Sequence, residues 1–212
     1  MEAPSAEKSA EAISAPEDLM REHGVLNRVL LIYEEGVRRL RKGEEAPPEI
    51  FQRGAQLVRR FVEDYHEQLE QNFIFPQFEK RQAHALLVRV LRQQHDAGRK
   101  LTDAIQRASA PDQFVKAPAR EQLARTCEAF CRMYRPHEAR EDTVLFPALY
   151  KIVPATEIKD LGEQFEQQEH KLFGEEGFQK TVEQVAEIEK LLGIYDLAVF
   201  TPKSPVTADG SR

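Results

Sequence analysis

The chain has 212 residues, of which 41% are hydrophobic, and a formal net charge of −6. This length fits one domain, or one domain with an appendage, and the apolar content is enough for a core. Lysine and arginine are spread among aspartate and glutamate, which argues against a nucleic-acid partner or an anionic membrane surface. No apolar run approaches the length of a membrane span, so no membrane partner is expected.

The two ends of the chain are expected to lie outside the fold. Residues 1–14 are rich in alanine, glutamate, serine and proline, which predicts a disordered segment. They lack the apolar region of a signal peptide, so a cytoplasmic location is expected, with a removed export leader as the open alternative. Residues 201–212 are predicted to form a loose tail. Cys127 and Cys131 lie four residues apart on a predicted helix and are interpreted as reduced core thiols.

The first helix is predicted from Ala15 to about Lys42. Ser14 and Glu17 have the spacing of a capping box, and Gly43 follows the last apolar position. Three further amphipathic helices are predicted at residues 48–76, 83–108 and 118–146. Pro76 and Pro147 are expected to end the second and fourth of these helices, and Pro136 to kink or loosen the fourth.

Four long amphipathic helices with short connections predict an all-α fold, an antiparallel four-helix bundle over residues 15–152. Two more helices are predicted at residues 156–173 and 175–192, separated near Gly174 and Gly177. They would form a C-terminal extension, residues 153–200, packed on the bundle.

One pattern occurs twice. Residues 66–76 read His-Glu-Gln-Leu-Glu-Gln-Asn-Phe-Ile-Phe-Pro, and residues 137–147 read His-Glu-Ala-Arg-Glu-Asp-Thr-Val-Leu-Phe-Pro. A single histidine precedes each copy at almost the same distance, His23 by 43 residues and His95 by 42 residues. Histidine and glutamate at i and i+4 share one helix face, and the hydrophobic periodicity turns that face inward.

Two inward glutamates need an explanation, because a buried carboxylate is costly unless it is paired or bound to a metal. A single His-x-x-x-Glu sequence is usually a surface pair, and a single histidine in an apolar stripe is usually a hydrogen-bonded core residue. The duplicated arrangement of four histidines and two glutamates favours two metal ions instead. Imidazole and carboxylate ligands suit iron, manganese or zinc.

These residues, with the Phe-Pro pairs at 75–76 and 146–147, resemble the hemerythrin-like, or His-His-Glu cation-binding, family. The resemblance implies a four-helix bundle with two iron ions in a non-haem di-iron centre. The ligands that it implies are His23, His66, Glu70, His95, His137 and Glu141.

One departure from the family is expected to matter. Oxygen-carrying hemerythrins have a second histidine one turn after the ligand of the third helix, where this chain has Arg99. One iron would then lack a nitrogen ligand, which favours oxidant chemistry over reversible carriage. Glu67 and His170 are the two candidates for the empty position. The alternatives are a supporting or solvated glutamate and a surface histidine.

The remaining polar side chains near the pattern have open interpretations. His84 is expected in an exposed turn, while Tyr65 and Tyr134 could donate hydrogen bonds to a bound oxygen species or be ordinary core aromatics. The resemblance implies a protein that reacts with dioxygen, peroxide or nitric oxide. A non-catalytic iron or oxygen sensor or store, and a structural zinc or manganese bundle, are the alternatives.

Overall fold

A computed structural model describes residues 13–202, and every regular element in that range is a helix. The predicted all-α fold class is confirmed. The expectations for the two chain ends concern residues 1–14 and 201–212, which lie almost entirely outside the described range. Within that range, no helix combines the length and the apolar character needed to cross a membrane.

The first helix, α1 (Ala15–Lys42), has the predicted bounds. The Glu17 carboxylate accepts hydrogen bonds from the Ser14 backbone N–H at 3.0 Å and from its hydroxyl at 2.6 Å. Gly43 ends the helix with a φ of +68°, in the left-handed region that glycine adopts without strain. The capping signals in the sequence therefore determine both ends of α1.

Two long helical stretches contain widened turns. The stretch α2 covers residues 48–80 and has π-helical segments at Val58–His66 and Glu70–Ile74. The stretch α5 covers residues 117–152 and has one at Glu141–Leu145. Two of these segments begin at the glutamates of the duplicated pattern. π-Helical turns are often found at functional sites.

The prediction that Pro76 and Pro147 end their helices is wrong. Each proline lies in the first turn of an α-helical segment that follows a π-helical segment, Phe75–Lys80 or Phe146–Ile152. A proline is tolerated there because its missing N–H would have no partner in the first turn of a helix. Because each proline falls at the start of a new α-helical segment, the helical stretch continues past it.

Pro136 lies inside the α-helical segment Ala117–Arg140, which continues for four residues beyond it. The departure from α-helical hydrogen bonding occurs after that segment, at Glu141. The loosening predicted at Pro136 is therefore not found there.

The four long helices contact one another in a ring. The third is α3 (Ala85–Ala108), and the short α4 (Pro111–Phe114) leads from it to α5. Helix α1 packs against α2 and α5, and α3 packs against the same two helices. The core between them is aliphatic and aromatic, and the thiols of Cys127 and Cys131 are buried in it and free.

Two further helices lie outside the ring. They are α6 (Ala155–Phe173) and α7 (Gly177–Leu192), close to the predicted bounds, and a 3-10 turn at Leu197–Phe200 follows. Helix α7 contacts α1, α2 and α6, and α6 also contacts α1. The Arg28 guanidinium donates to the carboxylate of Glu189 at 2.9 Å, which ties α1 to α7.

Candidate metal centre

Four histidines from four different helices meet in the interior. His23 on α1 and His66 on α2 place their Nε2 atoms 3.1 Å apart, and we call this pair the first half-site. His95 on α3 and His137 on α5 place theirs 3.3 Å apart and form the second half-site. All four side chains are buried.

The spacing within each half-site fits two nitrogens on a single ion. Nitrogens that each lie ~2.1 Å from a metal, with an angle of roughly 90–110° between the bonds, are about 3.0–3.4 Å apart. The observed separations of 3.1 and 3.3 Å fall within this interval. Each half-site can therefore supply two ligands to one cation.

Two carboxylates connect the half-sites. Glu70 places Oε1 3.7 Å from Nε2 of His66 and Oε2 3.4 Å from Nε2 of His95. Glu141 lies in the same way between the other two imidazoles, with Oε2 3.4 and 3.2 Å from their Nε2 atoms. Each carboxylate thus contacts one histidine of each half-site, as a bridging ligand must.

The carboxylates of Glu70 and Glu141 are fully buried, and none of their four oxygens has a hydrogen-bond partner among the described residues. Such burial is costly unless a charge compensates it. Their ligand atoms cluster with those of the imidazoles in two groups suited to a metal, one with His23, His66 and Glu70 and one with Glu70, His95, His137 and Glu141. Nitrogen and carboxylate donors of this kind suit iron, manganese and zinc.

The two bridging carboxylates differ in proton affinity. Burial raises the pKa of Glu70 to about 8. Burial acts on Glu141 in the same direction, but His137 and His23 outweigh it and hold the pKa of Glu141 well below its usual range. Before a cation binds, therefore, Glu70 holds a proton more tightly than Glu141 does.

The imidazoles of each half-site differ in the same manner. Burial lowers the pKa of His66 to about 4 and also lowers the pKa of His95. At His23 and His137 burial is outweighed by neighbouring carboxylates, which raise the pKa of each. In each half-site, therefore, one imidazole binds a proton less readily than usual and the other binds one more readily.

In the first half-site, carboxylates orient both imidazoles. Nδ1 of His23 lies 2.7 Å from Oδ1 of Asp142, and Nδ1 of His66 lies 2.7 Å from Oε2 of Glu22. A partner on Nδ1 directs Nε2 toward a metal and raises its basicity. These contacts hold both Nε2 atoms toward the centre.

In the second half-site, amides occupy the same places. The side-chain amide of Gln71 lies 3.1 Å from Nδ1 of His95, and Oε1 of Gln94 lies 2.9 Å from Nδ1 of His137. Both half-sites therefore have oriented imidazoles, but only the first has carboxylate partners.

The sequence interpretation missed these four supporting residues, although the repeat contains them. Glu22 and Gln94 immediately precede the single histidines, and Gln71 and Asp142 immediately follow the bridging glutamates. All four positions are polar at equivalent places of the two copies. The recurrence of polar residues at the same positions in both copies was a signal that could have identified them.

The phenylalanines of the Phe-Pro pairs cover the imidazoles. Phe146 stacks on His23 with ring centroids 5.7 Å apart, and Phe75 stacks on His95 at 5.5 Å. Each phenylalanine thus covers the single histidine of the other copy. This packing keeps water away from the ligands and strengthens electrostatic interactions at the centre.

The glutamates that directly follow His66 and His137 are also buried. Glu67 accepts hydrogen bonds from the Tyr134 hydroxyl at 2.9 Å and from Arg99 at 3.3 Å. Its counterpart Glu138 accepts one from the amide of Asn27. Burial raises the pKa of both glutamates to about 7. Neither belongs to the two ligand clusters found among residues 13–202, so ligation by Glu67 stays a prediction.

The two tyrosines near the centre have different surroundings. Tyr134 is held against Gly98, where a Cβ atom would lie 2.0 Å from the tyrosine oxygen. Its hydroxyl is committed to Glu67. The buried hydroxyl of Tyr65 has no hydrogen-bond partner among the described residues, and its ring packs edge-on against Phe173 at 5.3 Å.

The placement of His170 contradicts the expectation that it caps the centre. Its side chain is exposed and belongs to neither ligand cluster within the described range. Helix α6 is buried through Ile158, Leu161 and Phe165. His170 lies five residues beyond Phe165, about 140° around the helix, and so faces away from the core. His84 is exposed in the turn before α3, as predicted.

Four converging imidazoles and two buried carboxylates form clusters of the kind that can hold metal ions. The family model of the hemerythrin HHE cation binding domain matches residues 14–113 and, separately, residues 86–198, and the chain belongs to this family. The two matches overlap across α3. They begin before the first and the second copy of the ligand pattern, respectively.

Similar proteins occur in mycobacteria. The chain is 52% identical over 190 residues to one protein of Mycobacterium bovis and one of Mycobacterium tuberculosis, and the similarity covers 90% of this chain and 74% of each relative. Both relatives are described as uncharacterized proteins. No solved structure matches the chain.

Proposed function

We propose that the protein binds two iron ions and reacts with a small oxidant such as dioxygen, peroxide or nitric oxide. One ion would be held by His23 and His66, the other by His95 and His137, and both by the shared carboxylates of Glu70 and Glu141. The observation that carries the proposal is the burial of these two carboxylates without hydrogen-bond partners between four imidazole nitrogens.

Oxidant chemistry is favoured by the residue at position 99. Arg99 donates hydrogen bonds to Glu67 at 3.3 Å and to Asp64 at 3.1 Å, so it occupies the place of a second imidazole with a group that cannot ligate a cation. The ligand set is thereby left short of a nitrogen, which leaves space for an exogenous ligand. Two ferrous ions would supply electrons to a bound oxidant.

The protein's own contribution would be shielding and proton supply. Phe75 and Phe146 cover the imidazoles and exclude water. Glu67 has a pKa raised by burial to about 7 and receives a hydrogen bond from Tyr134, so it can hold a proton on its carboxylate beside that hydroxyl. A group with a pKa near the working pH is suited to give and take protons.

A cytoplasmic location is part of the proposal. Its support is the pair of buried, free thiols at Cys127 and Cys131, since free cysteines are typical of reducing compartments.

The test is anaerobic loading with ferrous iron, followed by exposure to dioxygen under optical spectroscopy. We expect rapid oxidation that removal of dioxygen does not reverse. A stable band that disappears under vacuum would identify a carrier instead.

Zinc loading provides the control, since zinc has no redox chemistry. If zinc or manganese binds the purified protein in preference to iron, and iron-loaded protein does not react with any of the three oxidants, the bundle is a structural metal protein and the proposal is wrong.

A further inference from the structure

A cavity separate from the metal centre lies between α2 and α7. Its volume is ≈ 470 Å³, within the usual range for sites that bind small molecules. Leu57, Phe61, Phe173 and Ile188 form an apolar floor. The helices outside the four-helix ring therefore help to build this cavity.

The charged residues that line this cavity are all basic: Arg53, Arg60 and Lys180. Arg60 lies over the ring of Phe173, with its guanidinium carbon 5.2 Å from the ring centroid. Neither Arg60 nor Lys180 has an ion-pair partner within residues 13–202, and Arg53 pairs with Glu49 at 3.3 Å.

We propose that this cavity binds an organic anion with an apolar body, a carboxylate on an aliphatic or aromatic chain. The apolar floor would bury the hydrocarbon part, and Arg60 and Lys180 would pair with the carboxylate at the rim. Arginine is suited to this because its planar fork donates two parallel hydrogen bonds to a carboxylate. Gln56 and Gln184 at the edge offer further hydrogen bonds without adding charge.

The cavity is connected to the helix that carries the metal ligands. The ring of Phe173 packs against Phe61 at 5.9 Å and against Tyr65 at 5.3 Å. Tyr65 immediately precedes His66 in the chain. The proposal itself does not rest on metal binding, and it can be tested whether or not the metal centre is occupied.

Binding is tested by titrating the full-length protein with octanoate in a calorimeter, with octanol and acetate as comparison ligands. We expect saturable binding of octanoate with one site per chain. Octanol lacks the charge and acetate lacks the apolar body, so both should bind about tenfold more weakly or not at all.

Variants locate the site. Arg60→Gln with Lys180→Gln should weaken octanoate binding about tenfold or more, since charge-assisted hydrogen bonds are lost. Gln184→Trp should abolish binding by filling the cavity while it leaves both cations in place. The matched control is Arg89→Gln, which removes an exposed cation on α3, away from the cavity.

Melting temperatures of all variants are measured alongside, so that loss of binding is read only from folded protein. Three results would overturn the proposal. They are absence of saturable octanoate binding by the wild-type protein, equal affinity for octanol, and retention of full affinity in both the double variant and Gln184→Trp.

Discussion

The two half-sites have the same ligands at the same spacing but different surroundings. In the first half-site the Nδ1 atoms of His23 and His66 contact carboxylates, whereas in the second those of His95 and His137 contact amides. Equivalent positions of the repeat thus keep their place while carrying a carboxylate in one copy and an amide in the other. A duplicated pattern can therefore determine geometry without making the two halves equivalent.

The difference has a chemical consequence. A carboxylate on Nδ1 makes an imidazole a more basic ligand than an amide does. A cation in the first half-site would therefore be held more tightly and stabilised more strongly in a higher oxidation state. The protein would have one more firmly held and one more exchangeable ion.

The largest effect is expected from replacing a carboxylate that contacts both half-sites. Glu70→Gln keeps the volume of the side chain but replaces the carboxylate that contacts both His66 and His95 with a neutral amide. We expect iron affinity to fall in both half-sites, by more than ~100-fold in total. Iron titration with separate fits for the two ions measures this. If the variant loses only one ion and keeps the other at full affinity, Glu70 is not a bridge.

Exchanging the supporting groups sharpens the comparison. Asp142→Asn with Glu22→Gln converts the first half-site to the amide type, and affinity there should fall about 10–100-fold. The reduction potential of that ion should rise, because its imidazoles become poorer donors. Gln71→Ala with Gln94→Ala is the counterpart for the second half-site. If both double variants weaken the binding of the same ion equally, these side chains do not act on separate half-sites.

Proton release should be shared between the half-sites. The pKa values of His23 and His137 are raised and that of Glu70 is about 8, so a cation competes with protons for these groups. Affinity should therefore fall as the pH is lowered, and iron binding should release protons.

Calorimetry in buffers with different ionisation enthalpies counts these protons. The variant Glu70→Gln should release one proton fewer than the wild type. A pH-independent affinity between pH 6 and pH 8 would show that these groups are not displaced.

The smallest effect concerns two glycines close to the single histidines. A Cβ at Gly98 would collide with the Tyr134 oxygen at 2.0 Å, whereas a Cβ at Gly24 would meet no atom within 4 Å. Gly98→Ala should therefore cost about 1–3 kcal/mol of unfolding free energy. Gly24→Ala should raise the free energy of unfolding by about 0.5–1 kcal/mol, because alanine suits a helix interior better than glycine does.

Denaturant unfolding of both variants measures this difference. The Gly98→Ala variant should also lose the Tyr134 hydrogen bond to Glu67, which a crystal structure would reveal. If both substitutions raise the free energy of unfolding, Tyr134 is not held tightly against Gly98.

Much of the fold and of the centre was predictable from the sequence, for physical reasons. The 3.6-residue period and the capping residues determine the helices, and the i, i+4 spacing places His66 with Glu70, and His137 with Glu141, on one face. The convergence of these faces follows from packing four apolar stripes together. The π-helical segments were not predictable, because the apolar period and the capping residues do not indicate where a helix widens.

The extension shows where prediction from one sequence fails. Both of its helices were predicted, but the orientation of α6 depends on which apolar side chains find partners. The burial of Ile158, Leu161 and Phe165 turns His170 outward. A histidine outside the ligand pattern is therefore a weak candidate for a metal ligand unless it lies on the inward face of its helix.

The most direct test of the two-ion centre is the metal content of a double variant. His66→Ala with His137→Ala removes one imidazole from each half-site, and His84→Ala with His170→Ala removes the two histidines outside them. Elemental analysis after iron loading should find about two ions per chain in the wild type and in the second variant, and almost none in the first. Full metal content in His66→Ala with His137→Ala would contradict the proposed site.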